Sequence, residues 1–165
     1  SLIEHPTNPH VRFLIMDCPT DTTIPLYLKE LARLNVTDVV RVCQPTYDRT
    51  RLLHAGIEVH DWPFKDGDVP STAILKQWLT VQQHQQSAGS SGGSGGVIPM
   101  TIAVHCVAGL GRAPVLVAVA LIDSGLDPID AIEKVRRRRR GAFNSKQINF
   151  LADGYKKLKL SIPAV

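Results

Sequence analysis

Only three of the 165 residues are cysteine, at positions 18, 43 and 106, and no two of them form a Cys-x-x-Cys pair or part of a Cys/His ligand set. That scarcity argues against a disulfide-stapled secreted scaffold and against a bound metal, and it points to a reducing compartment. No apolar run reaches the length of a membrane span and no secretory leader is visible, so a soluble, cytoplasmic protein is expected. Gly-Lys-Ser/Thr is missing, and Pro114 stands where a dinucleotide fingerprint needs Gly or Ala, which removes both common nucleotide loops. No cofactor is expected. The run Arg136 to Arg140 lacks interleaved aromatics, so nucleic acid is not an expected partner.

What is present suffices for one substantial core, with 44% hydrophobic residues. Strand-like segments at Arg12 to Ile15, Val36 to Cys43, Ile57 to His60 and Ile102 to Cys106 alternate with helical patterns at Pro25 to Leu34 and Ser71 to Gln86. Three further helices are predicted at Ala113 to Ser124, Pro128 to Arg139 and Lys146 to Leu160, with Asp127 and Ser145 as N-caps. This alternation predicts an α/β fold, a central parallel-type sheet flanked by helices, in a single domain spanning 1–165. The low-complexity stretch 87–96, rich in Gly and Ser, reads as a flexible surface loop with no function assigned to it.

The most informative stretch is His105-Cys106-Val107-Ala108-Gly109-Leu110-Gly111-Arg112, between a β-branched strand and an apolar helix with Pro114 in its first turn. The glycines free the backbone to turn successive N–H groups of Val107, Ala108, Gly109, Leu110 and Gly111 inward, and the helix N-terminus adds positive potential. A tetrahedral dianion fits such a nest. The same field favours negative charge on the Cys106 sulfur and makes it a nucleophile, while Arg112 offers a planar fork to two oxygens of the anion. His105 has two open readings, loop orientation through hydrogen bonds or a direct role.

Cleaving a phosphate ester with a thiolate also calls for a proton donor to the leaving oxygen. Asp61-Trp62-Pro63-Phe64-Lys65-Asp66-Gly67-Asp68 supplies three candidates; Asp61 falls at a strand end, and Asp66 heads a turn dipeptide and is the choice.

Together with Gly141-Ala142-Phe143-Asn144-Ser145-Lys146-Gln147, Val40-Arg41-Val42-Cys43 with Thr46-Tyr47-Asp48, and Asp61-Trp62-Pro63-Phe64, the segment from His105 to Ala120 resembles the phosphatases of regenerating liver, the type IVA protein tyrosine phosphatases. The resemblance runs from about Val11 to Leu151. It implies a cysteine-dependent, dual-specificity-like phosphatase fold acting on phosphoproteins, with Cys106 as nucleophile, Arg112 as phosphate binder and Asp66 as general acid. It also implies a reversible disulfide between Cys43 and Cys106; from the residues alone, Cys43 is equally a buried core thiol. Cys18 is taken as incidental. A second function class implied by the resemblance is a largely non-catalytic module that binds CBS-pair magnesium transport mediators.

Ala113 takes the place where most phosphatases with this loop carry Ser or Thr. Losing that hydroxyl from a departing thiolate costs about 1.5–3 kcal/mol, roughly one to two decades in rate, so slow turnover is expected. Two residues depart from the resembled pattern. Lys65 replaces an acidic neighbour of Asp66, and its charge favours the carboxylate over the proton-donating acid. The chain also ends Ser161-Ile162-Pro163-Ala164-Val165, without the prenylation box on which membrane association would rest. Ten of the 19 basic residues fall between Lys134 and Lys159 beside one acid, Asp153. Arg136 to Arg140 reads either as a solvated helix end or as a contact for an anionic membrane surface.

Overall fold

The computed structural model describes residues 1–89, 99–108 and 110–161. Its sheet is mixed. Strands β1 (Leu2–Glu4), β2 (Val11–Met16), β3 (Val36–Arg41), β4 (Glu58–Asp61) and β5 (Met100–His105) lie in the order β1-β2-β5-β3-β4. The last four pair in parallel as expected, and β1 adds an antiparallel edge that the sequence reading lacked. Three residues carry too little periodicity to announce a strand. In register, Met16 and Arg41 both stand beside His105, so β2, β5 and β3 end on one rim.

Alternation along the strands divides the core. Phe13, Ile15, Val40, Ile102 and Val104 face one side, and Val39, Ala103 and Met16 face the other. Helices α1 (Ile24–Arg33) and α2 (Thr50–His54) cover the second side; α2 follows no long apolar pattern and was not predicted. The first side carries α3 (Thr72–Gly89), α4 (Arg112–Asp123) and α5 (Pro128–Arg138). α4 is the axis of this layer. Every residue from Arg112 to Ile122 is buried, which its unbroken apolar sequence requires, since no polar face remains to meet solvent. Trp78 of α3, fully buried, packs on it and donates its indole N–H to the Leu116 carbonyl at 2.8 Å.

Several boundaries differ from expectation. α3 continues through 87–89, where a loop was predicted, and residues 90–96 of that loop lie outside the described residues. Asp127 caps α5 as predicted, accepting from the Ile129 amide. The cap of α6 (Ser145–Asn149) is Asn144 rather than Ser145, because Asn144 and Gln147 complete a reciprocal capping box. The predicted helix Lys146 to Leu160 is α6, a wider π-type turn at Phe150–Gly154, and α7 (Tyr155–Ser161). Among the described residues no helix is long and apolar enough to cross a membrane.

At the rim, Arg41 closing β3 is 3% exposed and binds Asp61 closing β4 through two hydrogen bonds of 2.5 and 2.9 Å. Its remaining arm donates to the Tyr47 carbonyl at 2.6 Å. A buried guanidinium stripped of its carboxylate is costly, so Asp61→Ala should lower unfolding free energy by about 3 kcal/mol, read by urea denaturation. An effect confined to activity would show that Asp61 does not hold the rim.

Candidate active site

The segment from Cys106 to Gly111 links the C-terminal end of β5 to the N-terminus of α4. Burial separates its residues by role. Cys106 is 3% exposed, whereas the side chains of Val107 and Leu110 point to solvent. Gly109 lies outside the described residues. Gly111, the residue before α4, has φ −128°, which other residues adopt, so left-handed freedom is not its reason for being glycine. A Cβ there would meet the Gln147 side-chain amide at 3.1 Å, tighter than ordinary contact, so a side chain at 111 would require Gln147 to give by a few tenths of an ångström.

Arg112 opens α4 and is 9% exposed. Its Nη1 donates to the Phe64 carbonyl at 3.1 Å and lies 3.5 Å from that of Val42. Nε has no hydrogen-bond partner, and it is the one buried side-chain polar atom in that state among the described residues. Leaving a buried N–H unmet is costly.

The three aspartates of the 61–68 segment have distinct environments. Asp61 belongs to Arg41, whose hydrogen bonds hold its carboxyl below the usual range. Asp68 is paired with Lys146 at 2.8 Å, which lowers it likewise. Asp66 is 87% exposed, and its Oδ1 lies 3.7 Å from the unmet Arg112 Nε. The turn that carries it is fastened from α6: Asn144 donates to the Gly67 carbonyl at 2.9 Å and Gln147 to that of Asp68 at 3.0 Å.

Sequence reasoning missed these supports. Phe143, held at φ 72°, donates its amide to the Leu110 carbonyl at 2.8 Å. Arg139 bridges the Asp17 carboxylate at 2.5 Å and the Ala108 carbonyl at 3.4 Å, and Arg136 binds the Ala142 carbonyl at 2.9 Å. Two of the five arginines read as a surface patch thus hold the chain around the Cys106–Arg112 segment. A basic run carries no mark in sequence telling which members turn inward.

His105 is fully buried, with Nε2 2.8 Å from the Tyr47 hydroxyl and a further hydrogen bond to the Cys106 backbone. That geometry orients the loop. Burial drives the imidazole down to about 4, so it is neutral at physiological pH. Cys43, 2% exposed, lies just past the end of β3, and desolvation first, then Cys18, pushes its thiol up to about 11. Cys18 is not incidental in space. Its Sγ, the Cys43 Sγ and a His105 ring nitrogen all lie within 4.8 Å of one another, the one such cluster of potential metal donors among the described residues. Its place two residues beyond β2, on the rim shared with β3 and β5, was the available signal.

Comparisons agree with this geometry. The protein-tyrosine phosphatase family signature matches residues 23–155. A probable protein tyrosine phosphatase type IVA A of Dictyostelium discoideum is 47% identical over 161 residues, 98% of this chain and 90% of that one. Protein tyrosine phosphatase type IVA 3 of Homo sapiens is 47% identical over 144 residues, 86% and 78% of the two chains. A solved protein tyrosine phosphatase (putative) of Leishmania major superposes with TM-score 0.82 at 43% identity, covering 93% of this chain and 96% of that one. Kinase associated phosphatase, TM-score 0.66 at 21% identity over 90% and 87% of the two chains, shares the fold.

The imidazole gains a proton near 6.5 when unfolded and near 4 when folded. Its contribution, about 3 kcal/mol, is therefore complete above the unfolded value and is lost as pH falls toward the folded one. His105→Gln, which keeps a partner for Tyr47, should flatten the decline of stability between those two values. Superimposable stability–pH curves for the two proteins would contradict the buried neutral ring.

Proposed function

The chain belongs to the protein-tyrosine phosphatase family, and from that premise we propose how its residues carry the reaction. It is a cysteine-dependent protein tyrosine phosphatase whose curated relatives include the type IVA enzymes. We assign it phosphoprotein substrates with dual-specificity-like breadth, and read 1–165 as one catalytic domain. The observation that carries the assignment is the buried Arg112 Nε, which lacks an acceptor until an anion arrives.

In the proposed first step the Cys106 sulfur attacks phosphorus and the ester oxygen leaves. Backbone N–H groups of Val107, Ala108, Leu110 and Gly111 and the α4 N-terminus would receive the equatorial oxygens, where charge builds. Arg112 binds two of those oxygens through Nε and a terminal nitrogen, still holding the Phe64 carbonyl with Nη1. Asp66 protonates the leaving oxygen; of the three aspartates it is the one whose ion pair, at 3.7 Å, is with Arg112 itself, and it is the most exposed. In the second step water attacks the phosphocysteine and the thiolate departs. Ala113, fully buried, offers a methyl group where a hydroxyl would donate to that thiolate, which supports slow turnover.

Cys43 is proposed as the partner of oxidised Cys106. It is buried at the same rim, and both Arg112 and Cys106 act electrostatically on its thiol. Arg136, Arg137 and Arg138 in the last turn of α5 and Arg140 after it are exposed and would supply any contact with an anionic surface. No observation favours docking onto CBS-pair transport mediators, and catalysis is the function retained.

Cys106→Ser should abolish hydrolysis of aryl phosphates, and Arg112→Lys should come close to doing so. Asp66→Ala should slow esters with poor leaving groups by about a hundredfold while sparing activated ones, because only the former need a proton. Equal losses on both would remove Asp66 from the acid role.

Ala113→Ser should raise the steady-state rate about tenfold with little change in the initial burst. Stopped-flow turnover unchanged by the substitution would place the slow step elsewhere.

A further inference from the structure

Three sulfurs leave the sheet at one rim. In the sheet order, β2 and β3 flank β5. Cys18 follows β2 by two residues, Cys43 follows β3 by two, and Cys106 directly follows β5 between them. Cys18 and Cys43 bring their Sγ atoms within 4.8 Å, and Cys43 Sγ is 4.0 Å from His105 Nδ1. Cys18 is half-exposed, and its thiol lies 3.0 Å from the Thr46 hydroxyl. The imidazole is engaged on both sides, by Tyr47 and by the Cys106 backbone, so thiol chemistry rather than metal ligation suits the group.

We propose that Cys18 is a second resolving thiol, which takes Cys43 out of a Cys43–Cys106 disulfide and returns Cys106 to its reduced form. The inference rests on the reading of Cys106 as nucleophile with Cys43 as its oxidation partner.

The steps balance around a peroxide as oxidant. Peroxide transfers one oxygen to the Cys106 thiolate, giving a sulfenic acid and releasing an alcohol or water. Cys43 attacks that sulfur: the S–S bond forms, the S–O bond breaks, and the hydroxyl leaves with the Cys43 proton as water. Cys18, deprotonated by solvent at its open side, then attacks the Cys43 sulfur. A Cys18–Cys43 bond forms, the Cys43–Cys106 bond breaks, and the electron pair departs on Cys106. One peroxide is reduced, and the two electrons come from the Cys18 and Cys43 thiols.

Direction follows from leaving groups. Exchange runs toward the better leaving sulfur, and Cys106 stands at the N-terminus of α4, whose first residue is Arg112, whereas at Cys43 the influence of Arg112 ranks behind desolvation and Cys18. Geometry selects the same atom for attack, since Cys43 is the sulfur beside Cys18. Closing from within 4.8 Å to bonding distance, about 2 Å, calls for side-chain rotation at half-exposed Cys18.

The test treats the reduced full chain with one equivalent of hydrogen peroxide, blocks remaining thiols, and maps non-reduced peptides alongside aryl phosphatase activity. The native chain should yield a Cys18–Cys43 peptide and stay within twofold of its untreated rate. Cys18→Ser, equal to the native chain before treatment, should yield Cys43–Cys106 and fall at least tenfold until a thiol reductant is added. A native chain that accumulates Cys43–Cys106 and loses activity as Cys18→Ser does would overturn the relay and leave the first disulfide standing. Only sulfinic or sulfonic Cys106 in Cys18→Ser would reject the Cys43 partnership and the relay with it. Zinc retained by the native chain through dialysis and lost on Cys18→Ser would assign the three donors to a metal instead.

Discussion

A buried guanidinium with one N–H left unmet organises this molecule. Arg112 holds the Phe64 carbonyl, lies beside the Val42 carbonyl and keeps Nε open, so its one side chain joins the ends of β3 and β4 to the start of α4. Burying that charge is tolerable only because three elements converge on it, and they can converge only if the sheet ends on a common rim. The unbroken apolar run of α4 from Ala113 to Ile122 supplies the anchor. A helix without a polar face has no alternative to the interior, and its N-terminus is thereby fixed beneath the loop it serves.

The same rim carries two cationic clamps with different work. Arg41 is satisfied on every side, by Asp61 and the Tyr47 carbonyl, and its contribution is rigidity. Arg112 is incompletely satisfied, and in the proposed reaction that deficit is what an anion relieves. The two arginines thus divide stability from the proposed recognition, and Asp61 and Asp66 divide in parallel.

Much of this was legible in the chain. The parallel sheet, the loop from Cys106 to Arg112 and the placing of Asp61 at a strand end followed from apolar runs and from the Cys-x5-Arg spacing, because those features are local. What escaped was non-local. β1 is too short to show a period, and the Asn144 cap was displaced by one residue because Ser145 has the same capping chemistry. Gly111 was assigned to backbone freedom, whereas its φ is ordinary and its close neighbour is the Gln147 amide, from a residue far along the chain. Arg139 and Cys18 were read as surface and incidental for the same reason. Their partners, Asp17 with Ala108 and Cys43 with His105, are brought to them only by the finished fold.

The carbonyls of Ala108 and Leu110 are held by Arg139 and Phe143, and Gly111 is pressed against Gln147. The anion loop therefore takes its final form from chain that follows it by some thirty residues, on the far side of two helices. During synthesis the sheet can close as soon as β5 emerges, but the loop must wait for α5 and the turn beyond it. A nascent or truncated chain ending before residue 139 would own every residue of the Cys106–Arg112 segment and still lack the braces that shape it, so the segment's final form arrives late in folding.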